Sequence, residues 1–180
     1  MNRNTLSSVA QKFILHWGEM GTRWGINRTV AQIHALLFLS PRPLPAEEIA
    51  TTLAIARSNV SNSLHELQSW GIVRVVHVLG DRRDHFESMK DVFEMFRVIT
   101  YQRKKREIDP TLRLLQGCII EAGKAKSADR YTRKRLTDLL QFFELAETAY
   151  LQLEKLPTAA LLKLAKMGDK TLRLLGMTKR

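Results

Sequence analysis

The chain is poor in several things that would signal other classes of protein. It has one cysteine, Cys118, in 180 residues. No intramolecular disulfide framework is possible, and the apolar surroundings of LLQGCII predict a buried core thiol rather than a nucleophile. No apolar run approaches the ~20 residues needed to cross a bilayer. The stretch MNRNTLSSVAQKF lacks the hydrophobic region of a signal peptide, so a cytoplasmic protein is expected, with no membrane partner. Acids are scarce: 18 Asp and Glu face 29 Lys and Arg, leaving a net charge of +11 that calls for a polyanionic partner. Histidines 16, 34, 65, 77 and 85 are scattered. There is no HExxH, nucleophile elbow, phosphate loop or cysteine pair, so neither an enzyme nor a cofactor or metal site is expected. His77 and His85 can be imagined facing each other across a hairpin, but ordinary cross-strand neighbours are the better reading than a metal site.

What is present is mostly helical patterning. At 44% hydrophobic residues the chain can fill a core. Residues 5–24 carry Leu6, Val9, Phe13, Trp17 and Met20 at helical spacing. Gly18, Gly21 and Gly25 recur at near-helical intervals, which suits a close backbone approach, and Gly25 can end the helix. Asn27 is a cap for a second helix with Val30, Ile33, Leu36 and Leu37 inward. PRPLP (41–45) stops it, because proline removes amide donors and disfavours helix just before itself.

A short helix, AEEIATTLA (46–54), has acids in its first turn, where they complement the helix dipole. A tight connection leads into ARSNVSNSLHELQSWG (56–71). Here Val60, Leu64 and Leu67 form a buried stripe, while Ser58, Asn62, His65 and Ser69 lie opposite, flanked by Asn59 and Ser61. Side chains this short do little for solubility. They suit a surface that another molecule approaches closely. Ile72–Leu79 then reads as a β-branched strand, GDRRD as a turn, and HFES as the returning strand.

Helix, short helix, turn, polar-faced helix and hairpin make a winged helix-turn-helix. The major groove admits an α-helix, and Asn and Ser read base edges there. Arg57, Ser58, Asn59, Ser61, Asn62 and His65 are the expected DNA contacts from the helix. Arg82 and Arg83 are those of the wing, since a narrow minor groove attracts arginine. Asp81 and Asp84 bracket that pair, and Asp81 is expected to orient the wing arginines.

PLPAEEIATTLAIARSNVSNSLHELQSWGIVRVVHVLGDRRDHFE resembles the winged-helix core of the MarR superfamily, with Asp81–Arg82–Arg83 at its wing motif. REIDPTLRLL (106–115) and WGEMGTRWGINRTVAQIHALLFLSPRPL are similar to the GbsR-like branch. The resemblance spans roughly residues 10–115. It implies a homodimeric transcriptional regulator, usually a repressor. The dimer interface would be built from terminal helices, with a small-molecule effector between those helices and the winged lobes. The branch's namesake senses choline. One departure is Ala56, where serine is common. Alanine cannot cap, so either another group, such as Ser58 or Asn59, satisfies the amides there or the helix end is frayed without DNA.

The remaining chain supplies MKDVFEMFRVITYQRKKRE (89–107), with Val92, Phe93, Phe96, Ile99 and Ile108 near one side. Asp109–Pro110 reads as a cap and first helical residue, and GKAKSAD (123–129) as a polar link. Residues 130–156 are the longest candidate helix, and two short tail segments follow around Ala159–Lys166 and Lys170–Leu175. Residues 97–135 hold twelve Lys or Arg against four acids, which suits flanking DNA, electrostatic steering or simply solvated helix faces. An effector of quaternary-ammonium type would need an aromatic cage, for which Trp17, Trp24, Phe142, Phe143 and Tyr150 are the candidates.

The expected organisation is mainly α. An N-terminal dimerisation helix (1–26) precedes a winged helix-turn-helix DNA-binding domain with a small β-hairpin wing (27–90). Long connecting and dimerisation helices (91–156) and a short helical tail (157–180) follow. The expected function is a sequence-specific double-stranded DNA-binding regulator acting as a homodimer on a pseudo-palindromic operator, with release by an effector of unknown identity. The alternative is a winged-helix adaptor that binds protein or RNA without operator specificity.

Overall fold

A computed structural model describes residues 6–124, 130–163 and 167. The second tail segment, Lys170–Leu175, and most of the 123–129 link lie outside the described residues. The chain divides after Thr100 into two compact units.

The first unit begins with α1 (Ser8–Arg23), whose cap Ser7 accepts from the Ala10 amide at 3.2 Å. Leu6, Phe13 and Trp17 of the expected stripe pack against the core, while Val9 is 74% exposed. Ile14, Gly18 and Gly21 are the fully buried positions. The glycines make the close approach expected of them. A Cβ at Gly21 would sit 2.5 Å from Ala31 Cβ, and one at Gly18 would sit 2.7 Å from Gln32 Cγ. The helix therefore rests its glycine edge on α2 (Arg28–Leu39), and Gly25, at φ +76°, makes the turn between them.

Asn27 caps α2 as expected, its Oδ1 accepting from the Thr29 amide at 2.8 Å. Seven consecutive-turn residues of α2 are buried, so it is the central helix of the lobe. Its C-terminal end is closed by a residue fifty positions away. Lys90 Nζ donates to the carbonyls of Leu37, Phe38 and Ser40 at 2.8–2.9 Å. Those carbonyls would otherwise lack partners. His34, buried on the same helix, has its pKa lowered to about 4 by burial and by the nearby Lys90 charge.

After PRPLP comes a strand that the sequence pattern hides. β1 (Leu44–Pro45) pairs with the last strand of the hairpin, so the sheet has three strands in the order β1-β3-β2. α3 (Ala46–Leu53) ends at Ala54 in the left-handed region, and α4 (Arg57–Ser69) follows. α4 ends at Gly71, with φ +79°. The hairpin is β2 (Val73–Val78) and β3 (Asp81–Ser88). Its turn is Leu79–Gly80, so Asp81–Asp84 belongs to the strand rather than to the turn expected for GDRRD. Ile33, Leu37, Ile49, Val60, Leu64, Leu67 and Ile72 form the fully enclosed centre of this unit.

α5 (Val92–Arg103) presents Met95 to that core, whereas Val92, Phe93 and Phe96 are 53%, 42% and 66% exposed. Ile99, expected on the same side as these, does pack against that core, as does Val98. Asp91 caps this helix through the amides of Phe93 and Glu94.

The second unit begins at Tyr101, in the last turn of α5, and a π-helical turn, Lys104–Ile108, then runs directly into α6 (Asp109–Lys124). Asp109 is itself helical, at φ −59° and ψ −41°, so the expected fresh start at Asp109–Pro110 does not occur. The Asp109 amide instead donates to the Lys104 carbonyl five residues back, a π-type bond. α7 (Arg130–Glu154) packs along α6, where Leu112 and Leu115 are the buried residues. Lys104 Nζ ties the unit together by reaching Asp109 Oδ1 and Glu147 Oε1, both at 2.6 Å. Those two carboxylates hold the ammonium well above its ordinary pKa. Cys118 is half-buried, less enclosed than expected. A short helical stretch covers residues 158–163.

Candidate nucleic-acid interface

α4 is divided lengthwise. Val60, Leu64 and Leu67 are at most 2% exposed and anchor it to the core. Ser58, Asn59, Asn62, His65 and Ser69 are exposed, and Ser61 is half-exposed at the edge. The expected polar face therefore exists as a continuous free surface. Nothing on α4 caps its first turn: Ala56 has no side chain to do so, and neither Ser58 nor Asn59 supplies a capping bond.

Arg57 begins this helix, where the dipole disfavours a cation. Glu47, in the first turn of α3, provides the compensation by accepting from Arg57 Nη1. The Glu47 carboxyl is held below its usual pKa by its own backbone amide and by Arg57.

The wing arginines differ from each other. Arg83 is clamped by Asp81: Nε reaches Oδ1 at 2.9 Å, and Nη2 reaches Oδ2 at 2.5 Å. The Arg83 amide also donates to Asp81 Oδ1 at 3.0 Å. These bonds push the Asp81 carboxyl far below the ordinary carboxylate range. Asp81 thus holds the Arg83 guanidinium from the same strand. Arg82 is exposed.

His85 backs this clamp and was not recognised from sequence. It is 6% exposed, its Nδ1 donates to the Arg83 carbonyl at 3.0 Å, and its Nε2 lies 3.4 Å from Asp81 Oδ2. It pairs with Val76 and not with His77. The His77 side chain is largely exposed and stands 3.9 Å from Asp84, so the two histidines do not face each other. Among the described residues, no group of three or more His, Cys, Asp or Glu is placed to hold a metal ion.

Helix and wing meet in a cleft of about 330 Å³, lined by Glu47, Arg57, Ser61, His65, Arg83 and Asp84 among others. Five residues expected to contact or orient DNA thus stand around one opening or directly beside it: Arg57, Ser61, His65, Arg83 and, through Arg83, Asp81. Glu47 was assigned only to the helix dipole. The signal that could have revealed more is its place ten residues before Arg57, across a helix-turn-helix connection.

The aromatic candidates fall into two groups. Trp17 and Trp24 meet edge to face at 5.7 Å in the first unit, with Phe13 stacked on Trp17 at 5.4 Å. Phe142 and Phe143 meet at 5.8 Å in the second, on the helix that also carries Tyr150. No helix among the described residues is long and apolar enough to cross a membrane.

Residues 24–84 match the family model described as MarR family. A crystal structure of a transcriptional regulator is similar at 20% identity and a TM-score of 0.64, covering 81% of this chain and 95% of that one. An S. aureus MepR mutant matches at 16% identity and a TM-score of 0.37, over 74% of this chain and 88% of that one. A second MepR mutant, bound to an oligodeoxyribonucleotide, matches at 14% and 0.34, over 74% and 91%. No curated protein matches the chain. The chain carries a winged helix-turn-helix fold, and the family model matches the segment 24–84 within it.

Proposed function

We propose that this protein is a sequence-specific, double-stranded DNA-binding transcriptional regulator. The observation that carries the reading is the free polar face of α4, set beside an arginine clamped on the wing. α4 would enter the major groove with Ser58, Asn59, Asn62 and His65 toward base edges, and Arg57 and Ser61 at its flank. The wing would bring Arg82 and Arg83, the latter oriented by Asp81, to the adjacent minor groove. The MarR family match over 24–84 supports this use of the fold.

The reading extends to a homodimer on a pseudo-palindromic operator. α7 has no buried residue, and Leu139, Phe142, Leu145 and Leu153 are 44–70% exposed along it. A second chain would cover such a surface and present a second α4 about one helical turn, ~34 Å, away on the duplex. Repression, release by a small-molecule effector at the Trp17–Trp24 or Phe142–Phe143–Tyr150 rings, and kinship with the GbsR-like branch belong to the same proposal. The sequence resemblance is their support.

Binding to an enriched duplex tests the core of it. Asn62→Ala should relax base preference, whereas Arg83→Ala should weaken binding across all sequences and flatten the salt dependence by about one phosphate contact. Variants that both bind like the wild type would overturn the assignment of helix and wing.

A further inference from the structure

Glu47 is an anion placed among the groups that would meet phosphates. It sits on α3, yet its carboxylate is bonded to Arg57 at the start of α4, and the charge of Arg83 on the wing is felt at the same carboxyl. The adjacent Glu48 serves a different purpose, pairing with Arg42 at 2.5 Å in the loop before α3. The two arginines of the cleft are also held in different ways. Arg83 gives Nε and Nη2 to Asp81, on its own strand. Arg57 gives only Nη1 to Glu47, from another helix, and is about half exposed.

We propose that Glu47 is a built-in phosphate surrogate: it occupies the Arg57 guanidinium in the free protein and so restrains sequence-independent attraction to DNA. The inference rests on the nucleic-acid reading above. The physical basis is competition. A carboxylate and a phosphodiester oxygen ask the same thing of a guanidinium, namely in-plane N–H donors and a positive charge. While Glu47 holds Arg57, that charge is neutralised locally, and an approaching phosphate meets a repelling anion beside the cation it would bind. The pair is exposed, so it can exchange partners at modest cost. Glu47 thereby acts as a positioning and tuning residue for the interface, and contributes no base contact of its own.

The test compares wild type with Glu47→Gln, Glu48→Gln, Arg57→Ala and the Glu47→Gln/Arg57→Ala double variant. Each is titrated as the full chain against a duplex enriched from a random pool and a scrambled duplex of equal length, over a series of salt concentrations. Thermal unfolding checks that each variant is folded. Glu47→Gln is expected to bind the scrambled duplex about two- to fivefold tighter at low salt, the range of an exposed ion pair. Its log–log salt slope should steepen by about 0.9, one released counterion more. In the Arg57→Ala background the same change should have no more effect than Glu48→Gln, which alters the net charge equally and should have a smaller effect than Glu47→Gln in the wild-type background. If wild type binds duplex but Glu47→Gln binds no tighter, or Glu48→Gln matches it, Glu47 is only a helix-start acid and the inference falls alone. If wild type binds neither duplex, the nucleic-acid reading falls and takes this inference with it.

Discussion

The two units bury their apolar residues to very different extents. The first encloses Ile33, Ile49, Val60 and Leu67 to 0% exposure with helices on one side and a three-stranded sheet on the other. The second has Leu112 and Leu115 buried between two helices, and α7 buries nothing fully. A lobe that completes its own core can stand alone and hold an exposed polar helix in place. A helical hairpin with phenylalanine and leucine on its outside has unfinished packing. The difference teaches that the first unit completes its own core, while the second leaves apolar side chains of α7 exposed.

That contrast is sharpest under truncation. Leu67→Ala should cost about 2–5 kcal/mol, because the cavity lies in a closed core. Leu145→Ala, at 70% exposure, should change the unfolding free energy of the isolated chain by less than about 0.5 kcal/mol. Its effect should appear instead as weaker self-association in sedimentation. Equal losses of stability would break the comparison.

Next comes acid. His34 is neutral in the folded first unit, with its pKa lowered from 6.5 to about 4, and its Nε2 has no buried partner. The unfolded chain takes up this proton first, so the contribution is complete above pH 6.5 and is lost as pH falls towards 4. The loss approaches roughly 3 kcal/mol at ~1.4 kcal/mol per pKa unit. His34→Leu should flatten the stability profile across that window, read by denaturant unfolding at several pH values. An unchanged slope would remove His34 as the cause.

Gly21→Val should follow, at about 1–3 kcal/mol, because the added carbon meets Ala31 at the α1–α2 crossing. Gly117, on α6, has nothing within 4 Å of a built Cβ, and Gly117→Ala should be neutral or slightly stabilising. Smallest is Glu147→Gln, which removes one of two carboxylates on Lys104. Asp109 remains, so the loss in the second unit should stay below about 1 kcal/mol in thermal unfolding.

Much of the first unit is legible in the sequence because its signals are local. The Asn27 cap and the Val60–Leu64–Leu67 stripe each declare themselves within a few residues. The same holds for the polar face of α4 and for Asp81 beside Arg83. What escapes is whatever depends on distant partners. β1 is two residues long, one of them proline, and exists only because β3 lies alongside. Lys90 closes α2 from fifty residues away, and Glu47 reaches Arg57 across a turn. Ile14, buried on α1 beside the glycine edge, lies off the Leu6–Phe13–Trp17 stripe and declares itself only through its packing in the core. In the second unit, Asp109–Pro110 looks like a helix start, yet a π turn carries the helix through it.

The most direct measurement of the central claim is enrichment of duplexes from a random pool by the wild-type chain, followed by base-resolution footprinting. The account predicts an inverted repeat with half-sites centred about 10 bp apart, protected in successive major grooves and at the flanking minor grooves, with the central protection lost in Asn62→Ala. A pool that yields no preferred sequence, or a footprint indifferent to α4 and the wing, would contradict it.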